Sequence, residues 1–394
     1  MGLVNAAVGD GRPQAWNGWP TCGCLCGGRS SCGRSSLTTA APDGATNNFE
    51  MHRIVFCASI PHSTRAMSAA TFQCCHHVNT VAEPTYRISG HESFACRYTW
   101  LPKAVRGLKD NSKLFSDDEK AMVDLGVGKN MVRSIRFWAQ VAGVMDTPSR
   151  GMGHSLSGFG RALLGEGGHD PFLEDLRTLW LIHWNLSTDT KTPLLAWDFL
   201  LNRWQEPELV PSVIIKTLHK EAARLDDGLS AVTIDQHWDT FLHTYVRTRG
   251  RKGEIQEDNL DSPLTELELI VRVGERLGDG NGGRAESVYA FRREEKPDIT
   301  PELFVYSLND FWNKRHPMES TLSFREIAHG HGSPGQIYKL PEEDVRARVE
   351  RLAEQTNDCF TYVESALLQK VQRNERRESL DLLNDIFDGR RNHV

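Results

Sequence analysis

Between His91 and Tyr98 the chain gathers an imidazole, a carboxylate, a guanidinium and a phenol, on His91, Glu92, Arg97 and Tyr98. Side chains of these types suit phosphoryl chemistry: a carboxylate holds a divalent cation that polarises a phosphate and generates hydroxide, and a basic residue shields the charge that develops. These four are read as the candidate catalytic group. They also have a structural use, because a carboxylate before a helix start is favoured by the helix dipole and Arg97 can pair with a nearby acid. Asp170, Glu174 and Asp175 make a second acidic group, with Asp170 and Glu174 spaced for one helix face; Asp170 before Pro171 also has the form of an N-cap. Asp258, Asp261 and Glu266 lie beside the basic run RTRGRKGE and read equally as solvated loop acids. No D…ExK or HNH spacing is found. GVGKN at 126–130 lacks the spacing of a Walker A loop and reads as a tight turn. Ser333, Gly335 and Lys339 offer hydroxyl, amide and ammonium donors to a phosphate. His329 and His331, two apart beside glycines, fit either a metal pair or an exposed loop.

The elements that must position these residues follow from hydrophobic spacing. Trp100, Leu101, Ala104, Val105 and Leu108 recur at helical intervals and predict a first helix ending near Asp110 and Asn111, with Lys103, Arg106 and Lys109 on its wetter side. Ser116 and Glu119 form a capping box, so a second helix covers about 117–125 and stops at Gly126. A third, from Lys129 to about Val141, turns Met131, Ile135, Trp138 and Ala139 inward and presents Lys129, Arg133 and Arg136 along another face. The Gly-, Ser- and Pro-rich stretch that follows suits a strand, a turn and a returning strand. Three short helices and a hairpin make a winged helix-turn-helix, whose third helix enters a major groove. The DNA-binding set is then Lys103, Arg106, Lys129, Asn130, Arg133 and Arg136. Residues 97–136 hold nine Lys or Arg against five acids, a surplus of four that runs against the acidic whole and matches backbone neutralisation. Charged faces are equally the norm on exposed helices.

Beyond the hairpin, Trp180, Trp184, Trp197 and Trp204 fall among Leu and Phe and read as core rather than as a base-stacking platform. Residues 211–248 supply amphipathic helices, and a long charged last helix from about Pro341 to Phe387 offers a homodimer contact. The fold class is mainly α: a disordered or mis-started extension over 1–83, a winged helix-turn-helix domain over 84–190 and a multi-helix C-terminal domain over 191–390.

The totals allow this. The chain has 394 residues and a net charge of -6, so nucleic-acid contact must come from a local patch. Eight of nine cysteines precede residue 97. The spacing of Cys22, Cys24, Cys26 and Cys32 departs from a two-residue zinc knuckle, and the Gly-, Ser- and Thr-rich composition around them fits disorder, or translation starting at Met51 or Met67. No long apolar run or signal-peptide pattern is present, which predicts a cytoplasmic protein with no membrane partner.

Taken together and in this order, SGHESFACRYTWLPK, DLGVGKNMVRSIRFWA, DPFLEDLRTLWLIHW, SPLTELELI and SPGQIYKL resemble a bacterial family long catalogued as a domain of unknown function, the family that includes SspB of single-strand DNA phosphorothioation systems. The likeness spans about residues 86–375. It implies a DNA nicking endonuclease in an antiphage defence system that replaces a backbone oxygen with sulfur. Its partners would be double-stranded DNA, a cysteine desulfurase, an ATP-pyrophosphatase-like protein and a P-loop ATPase. A nickase of this kind calls for Mg2+ or Mn2+. The alternative is a non-catalytic winged-helix subunit that presents DNA to the complex; a transcription regulator is a third reading.

Overall fold

Trp100, Leu101, Ala104, Val105 and Leu108 all lie on the buried side of α1 (Trp100–Asp110), as their spacing predicts. α2 (Asp118–Leu125) begins one residue later than the capping box suggests. Asp117 is its N-cap, accepting the N–H groups of Glu119 and Lys120, while Ser116 closes a short turn over Leu114–Ser116. Gly126, at φ +64°, ends α2 in the left-handed region where glycine is at ease. Val127 and Gly128 then lead into α3 (Lys129–Val141), and α1, α2 and α3 pack against one another. Where the sequence predicts a wing, Met145 and Leu156 form an isolated antiparallel bridge before α4 (Gly158–Leu164). The computed structural model describes residues 84–146, 153–225, 228–247, 262–277, 285–365 and 368–388. The predicted extension over 1–83, the tip of the predicted wing, and Asp258 and Asp261 lie outside them.

A tryptophan-rich layer follows. Asp175, not Asp170, caps α5 (Leu176–Thr188); the Asp170 carboxylate instead takes the backbone N–H groups of Glu174 and Asp175 in the preceding loop. Trp180, Trp184, Trp197 and Trp204 are buried, the core role read from the sequence. α6 (Leu195–Asp198) runs directly into a π-turn over Phe199–Arg203. After β1 (Glu208–Leu209) come α7 (Pro211–Leu225) and α8 (Ala231–Tyr245). β2 (Ile270–Leu277) and β3 (Ala285–Phe291) complete an antiparallel sheet ordered β1-β3-β2.

The expected long last helix is absent. α9 (Pro301–Arg315) leads to β4 (Thr321–Ser323), α10 (Phe324–His329), α11 (Pro334–Ile337), α12 (Glu342–Glu350) and α13 (Leu352–Gln355). Asn357 and Asp358 then turn the chain at positive φ, and β5 (Phe360–Ser365) pairs with β6 (Leu368–Arg373) in a sheet ordered β4-β6-β5. The alternation in FTYVES and KVQR, with Phe360 and Val371 fully buried, is a strand pattern that charge density masks. α14 (Ser379–Asp388) closes the described chain against α9 and α4. The homodimer expectation thus loses the helix on which it rested.

The fold is mainly helical, with two small sheets inside the part read from the sequence as a multi-helix domain. Its parts share one apolar core from Ile88 to Phe387. Of the four buried imidazoles among the described residues, three are sunk deepest: His91, His183 and His237. Burial drives their pKa values down to about 4, about 3 and about 3 respectively. In the unfolded chain histidine titrates near about 6.5, so the unfolded state takes up protons first. Their contribution is intact above that pH and is lost as pH falls toward 4, by on the order of 2 kcal/mol per imidazole at pH 5. The midpoint of urea unfolding is therefore expected to drop clearly between pH 7 and pH 5, and an unchanged midpoint would contradict neutral buried histidines.

Candidate nucleic-acid interface and a buried carboxylate centre

The spacing of Lys129, Arg133 and Arg136 along α3 puts the three on one side of that helix. Asp118 on α2 moderates the first two: its Oδ2 lies 3.2 Å from Arg133 Nε and 3.9 Å from Lys129 Nζ. Arg136 Nη1 reaches the Phe115 carbonyl at 3.5 Å. Arg87, not singled out in the sequence, extends the stripe. Its guanidinium lies over the Phe137 ring at 4.5 Å and donates to Gln140 Oε1 at 3.1 Å. Burial and the neighbouring Arg136 lower its pKa, yet a guanidinium stays charged at any ordinary pH. Asn130 is exposed on the first turn of α3. Lys103 does other work, bracing α1 to α2 by donating to the Leu125 carbonyl at 3.2 Å. Arg106 lines a separate groove of about 550 Å³ with Lys109, Arg161 and Phe172.

His91, Glu92, Arg97 and Tyr98 do not converge. Glu92 and Ser93 take positive φ values of 50° and 62°, and this reversal sends the His91 ring into the core, where it is 3% exposed. His91 Nδ1 accepts the Ser93 N–H, its Nε2 lies 3.2 Å from both the Ile88 carbonyl and His237 Nδ1, and its ring stacks on His237. A neutral imidazole so enclosed cannot reach a phosphate. Glu92 has no hydrogen bond or ion pair among the described residues. Arg97 lies over the rings of Phe94 and Trp100. The Tyr98 phenol is pushed up by burial and then by the Glu266 carboxylate, which itself pairs with Arg247.

The other acidic and phosphate-binding candidates serve the framework. Asp175 pairs with Arg177 at 2.7 Å. Ser333 caps α11, and a β-carbon on Gly335 would meet the Ala328 carbonyl at 2.4 Å. Lys339 is fully buried, its ammonium 4.6 Å above the Phe291 ring and bonded to the Leu201 carbonyl. His329 faces Glu342 rather than His331. Among the described residues no three His, Cys, Asp or Glu side chains converge as metal ligands.

A centre the sequence reading did not assemble lies at the end of α6. Asp198 is a lone charge in the apolar run LLAWDFLL, and that is the signal that could have found it, since a buried carboxylate needs donors. It is 4% exposed, and three stretches of chain supply its partners. Oδ1 accepts His331 Nε2–H at 2.7 Å, and Oδ2 accepts the Tyr86 hydroxyl at 3.0 Å, with Arg203 Nε at 3.6 Å. Burial opposes the charge, but His331, Tyr86 and Arg203 outweigh it and hold the carboxyl below its usual range. Tyr86 is pushed up to about 12, first by burial and then by Asp198, and stays a donor.

The π-turn makes this possible by turning Asn202 and Arg203 beside Asp198. Gln336 Nε2 donates to the Leu201 carbonyl at 2.7 Å, and Lys339 bonds the same oxygen. Asn202 Oδ1 in turn accepts the Gly332 N–H at 2.7 Å. Gly332 has φ +81°, and the Arg315 guanidinium lies 3.4 Å from where its β-carbon would stand, so this glycine brings Arg315 against the His331 loop.

The model of the family described as a protein of unknown function, DUF4007, matches residues 88–387. No curated protein matches the chain. Solved structures of SspB are among those similar to the chain. One is an SspB crystal structure, 27% identical with a TM-score of 0.65, and the other a magnesium ion-bound SspB crystal structure, 26% identical with a TM-score of 0.64. Each alignment covers 76% of this chain and 86% of the other. Asp198→Ala would leave His331, Tyr86 and Arg203 without their shared acceptor and is expected to cost about 3 kcal/mol of folding stability, read from urea unfolding. A loss below ~0.5 kcal/mol, the range of ordinary surface changes, would show that the carboxylate does not anchor this region.

Proposed function

Since the chain belongs to the DUF4007 family and aligns with SspB over most of both lengths, we propose that it holds duplex DNA and nicks one strand as part of a DNA phosphorothioation system. The observation that carries the DNA half is the α3 stripe: Lys129, Arg133 and Arg136, continued by Arg87, on a chain whose net charge is -6. A local cationic row on an acidic protein is what phosphate neutralisation asks of it. In this reading α2, the glycine turn and α3 are a helix-turn-helix, and the Met145–Leu156 bridge is the base of a wing that lies along the backbone. Residues 84–190 grip DNA and residues 191–390 carry the remaining work.

The nick gives sulfur-inserting enzymes access to one strand. The cysteine desulfurase, the ATP-pyrophosphatase-like protein and the P-loop ATPase are its partners in antiphage defence, and Mg2+ or Mn2+ is the metal such a nickase would take. One observation favours a second reading, a DNA-presenting subunit that breaks no bond: no ligand set converges among the described residues.

Lys129→Ala with Arg133→Ala is expected to weaken duplex binding and to flatten the plot of log affinity against log salt by about 2, since each phosphate contact contributes a slope of about 0.9. Asp118→Ala is expected to do the reverse and tighten binding, because it frees both cations. Fluorescence anisotropy with a labelled duplex checks both, and equal affinities for all three proteins would remove α3 from the interface.

A further inference from the structure

We propose that His331 is the general base of strand cleavage, with Asp198 as its positioning residue and Arg315 as the cation that receives the phosphate. The proposal rests on the nickase reading above and adds to it a site.

Its first support is the orientation of the ring. Nε2–H is committed to Asp198 Oδ1 at 2.7 Å, which fixes the tautomer and makes Nδ1 the basic atom. Nδ1 has no partner among the described residues, and the side chain is 40% exposed while its carboxylate is almost wholly covered. A surface ion pair that only stapled two loops would be open to water on both sides. Here the acceptor is buried, held in place by Tyr86 and Arg203, and the imidazole and the Arg203 side chain are the parts of the cluster that reach the surface.

The second support is the charge beside it. Arg315 lies against Gly332, one residue from His331, and has no carboxylate partner among the described residues. An unneutralised guanidinium beside an oriented imidazole is what an incoming phosphodiester requires. Arg203, by contrast, is occupied by Asp198 and Glu221 and serves to hold the carboxylate.

The third support is location. Tyr86 binds Asp198 and the next residue, Arg87, binds Gln140 in the last turn of α3, while the backbone at Arg87 bridges to Leu194. Consecutive residues of an extended segment, about 3.3 Å apart along the chain, therefore join the centre to the cationic face. In this proposal a duplex seated on α3 also passes His331 with a neighbouring phosphate.

In the step itself, Nδ1 takes a proton from water as the water oxygen bonds to phosphorus. The opposite P–O ester bond breaks, its deoxyribose oxygen takes a proton from solvent, and Nδ1 returns its proton to solvent. One water is consumed, and one strand end carries a hydroxyl and the other a phosphate.

The test is conversion of supercoiled plasmid to open circle by the full chain in magnesium buffer, with duplex affinity measured in parallel. His331→Ala is expected to slow nicking at least ~100-fold, the usual worth of a general base, with affinity within about twofold of the unmutated protein. Added imidazole should restore part of the rate to His331→Ala and none to Asp198→Asn, a response that a merely structural histidine would not give. His331→Gln, which keeps a donor to Asp198, separates folding from chemistry and should be as slow as the alanine variant. Nicking by His331→Gln at the full rate would overturn this assignment while leaving the nickase reading in place. If the unmutated protein binds DNA but nicks none, the nickase reading falls and this assignment with it.

Discussion

A charged carboxylate under the surface must be given donors, and meeting that demand at Asp198 organises much of this molecule. The side chain is 4% exposed, and its partners come from the first described residues, from the π-turn and from the glycine loop after α10. Satisfying it fixes where Tyr86 enters, why the chain after α6 widens into a π-turn, and why the segment HGHGS folds back at Gly332. The π-turn in turn leaves carbonyls outside the regular helix ladder, and Gln336 and Lys339 reach in to bond one of them. The motif SPGQIYKL is thus a brace, and burying an ammonium to build it is worthwhile only if the shape it holds has a use.

That shape is connected to the face proposed to meet DNA. Tyr86 and Arg87 are adjacent, one turned to the carboxylate and the other to α3. The proposed DNA face and the proposed cleavage site both draw on a single extended segment. The cationic row is also tempered from within, since Asp118 touches both Lys129 and Arg133. A phosphate must compete with that carboxylate. Binding would then depend on several contacts made together rather than on any one cation.

Local pattern made the N-terminal helices legible in the sequence. α1 and α3 have the bounds that apolar spacing and a glycine turn predict, and the buried tryptophans are where their neighbours said. Signals that depend on distant partners were not legible. The turn at Glu92 and Ser93 reverses His91 into a pocket completed by His237 and Thr240, and nothing near His91 in the sequence announces residues some 146 positions away. The hairpin over β5 and β6 was hidden because its exposed face is charged enough to pass for a helix. Asp198 and His331 stand 133 residues apart. Each carried a local hint, a charge in an apolar run and a histidine between glycines, but only the fold makes them neighbours.

The central claim, that the outer face of α3 meets duplex DNA, is tested most directly by a photocrosslinker at its exposed first turn. Asn130→p-benzoylphenylalanine, irradiated with a labelled duplex, is expected to give a covalent DNA adduct that competing salt suppresses, while the same group at the exposed Val232 of α8 gives none. Equal crosslinking at both positions, or crosslinking at Val232 alone, would contradict the account.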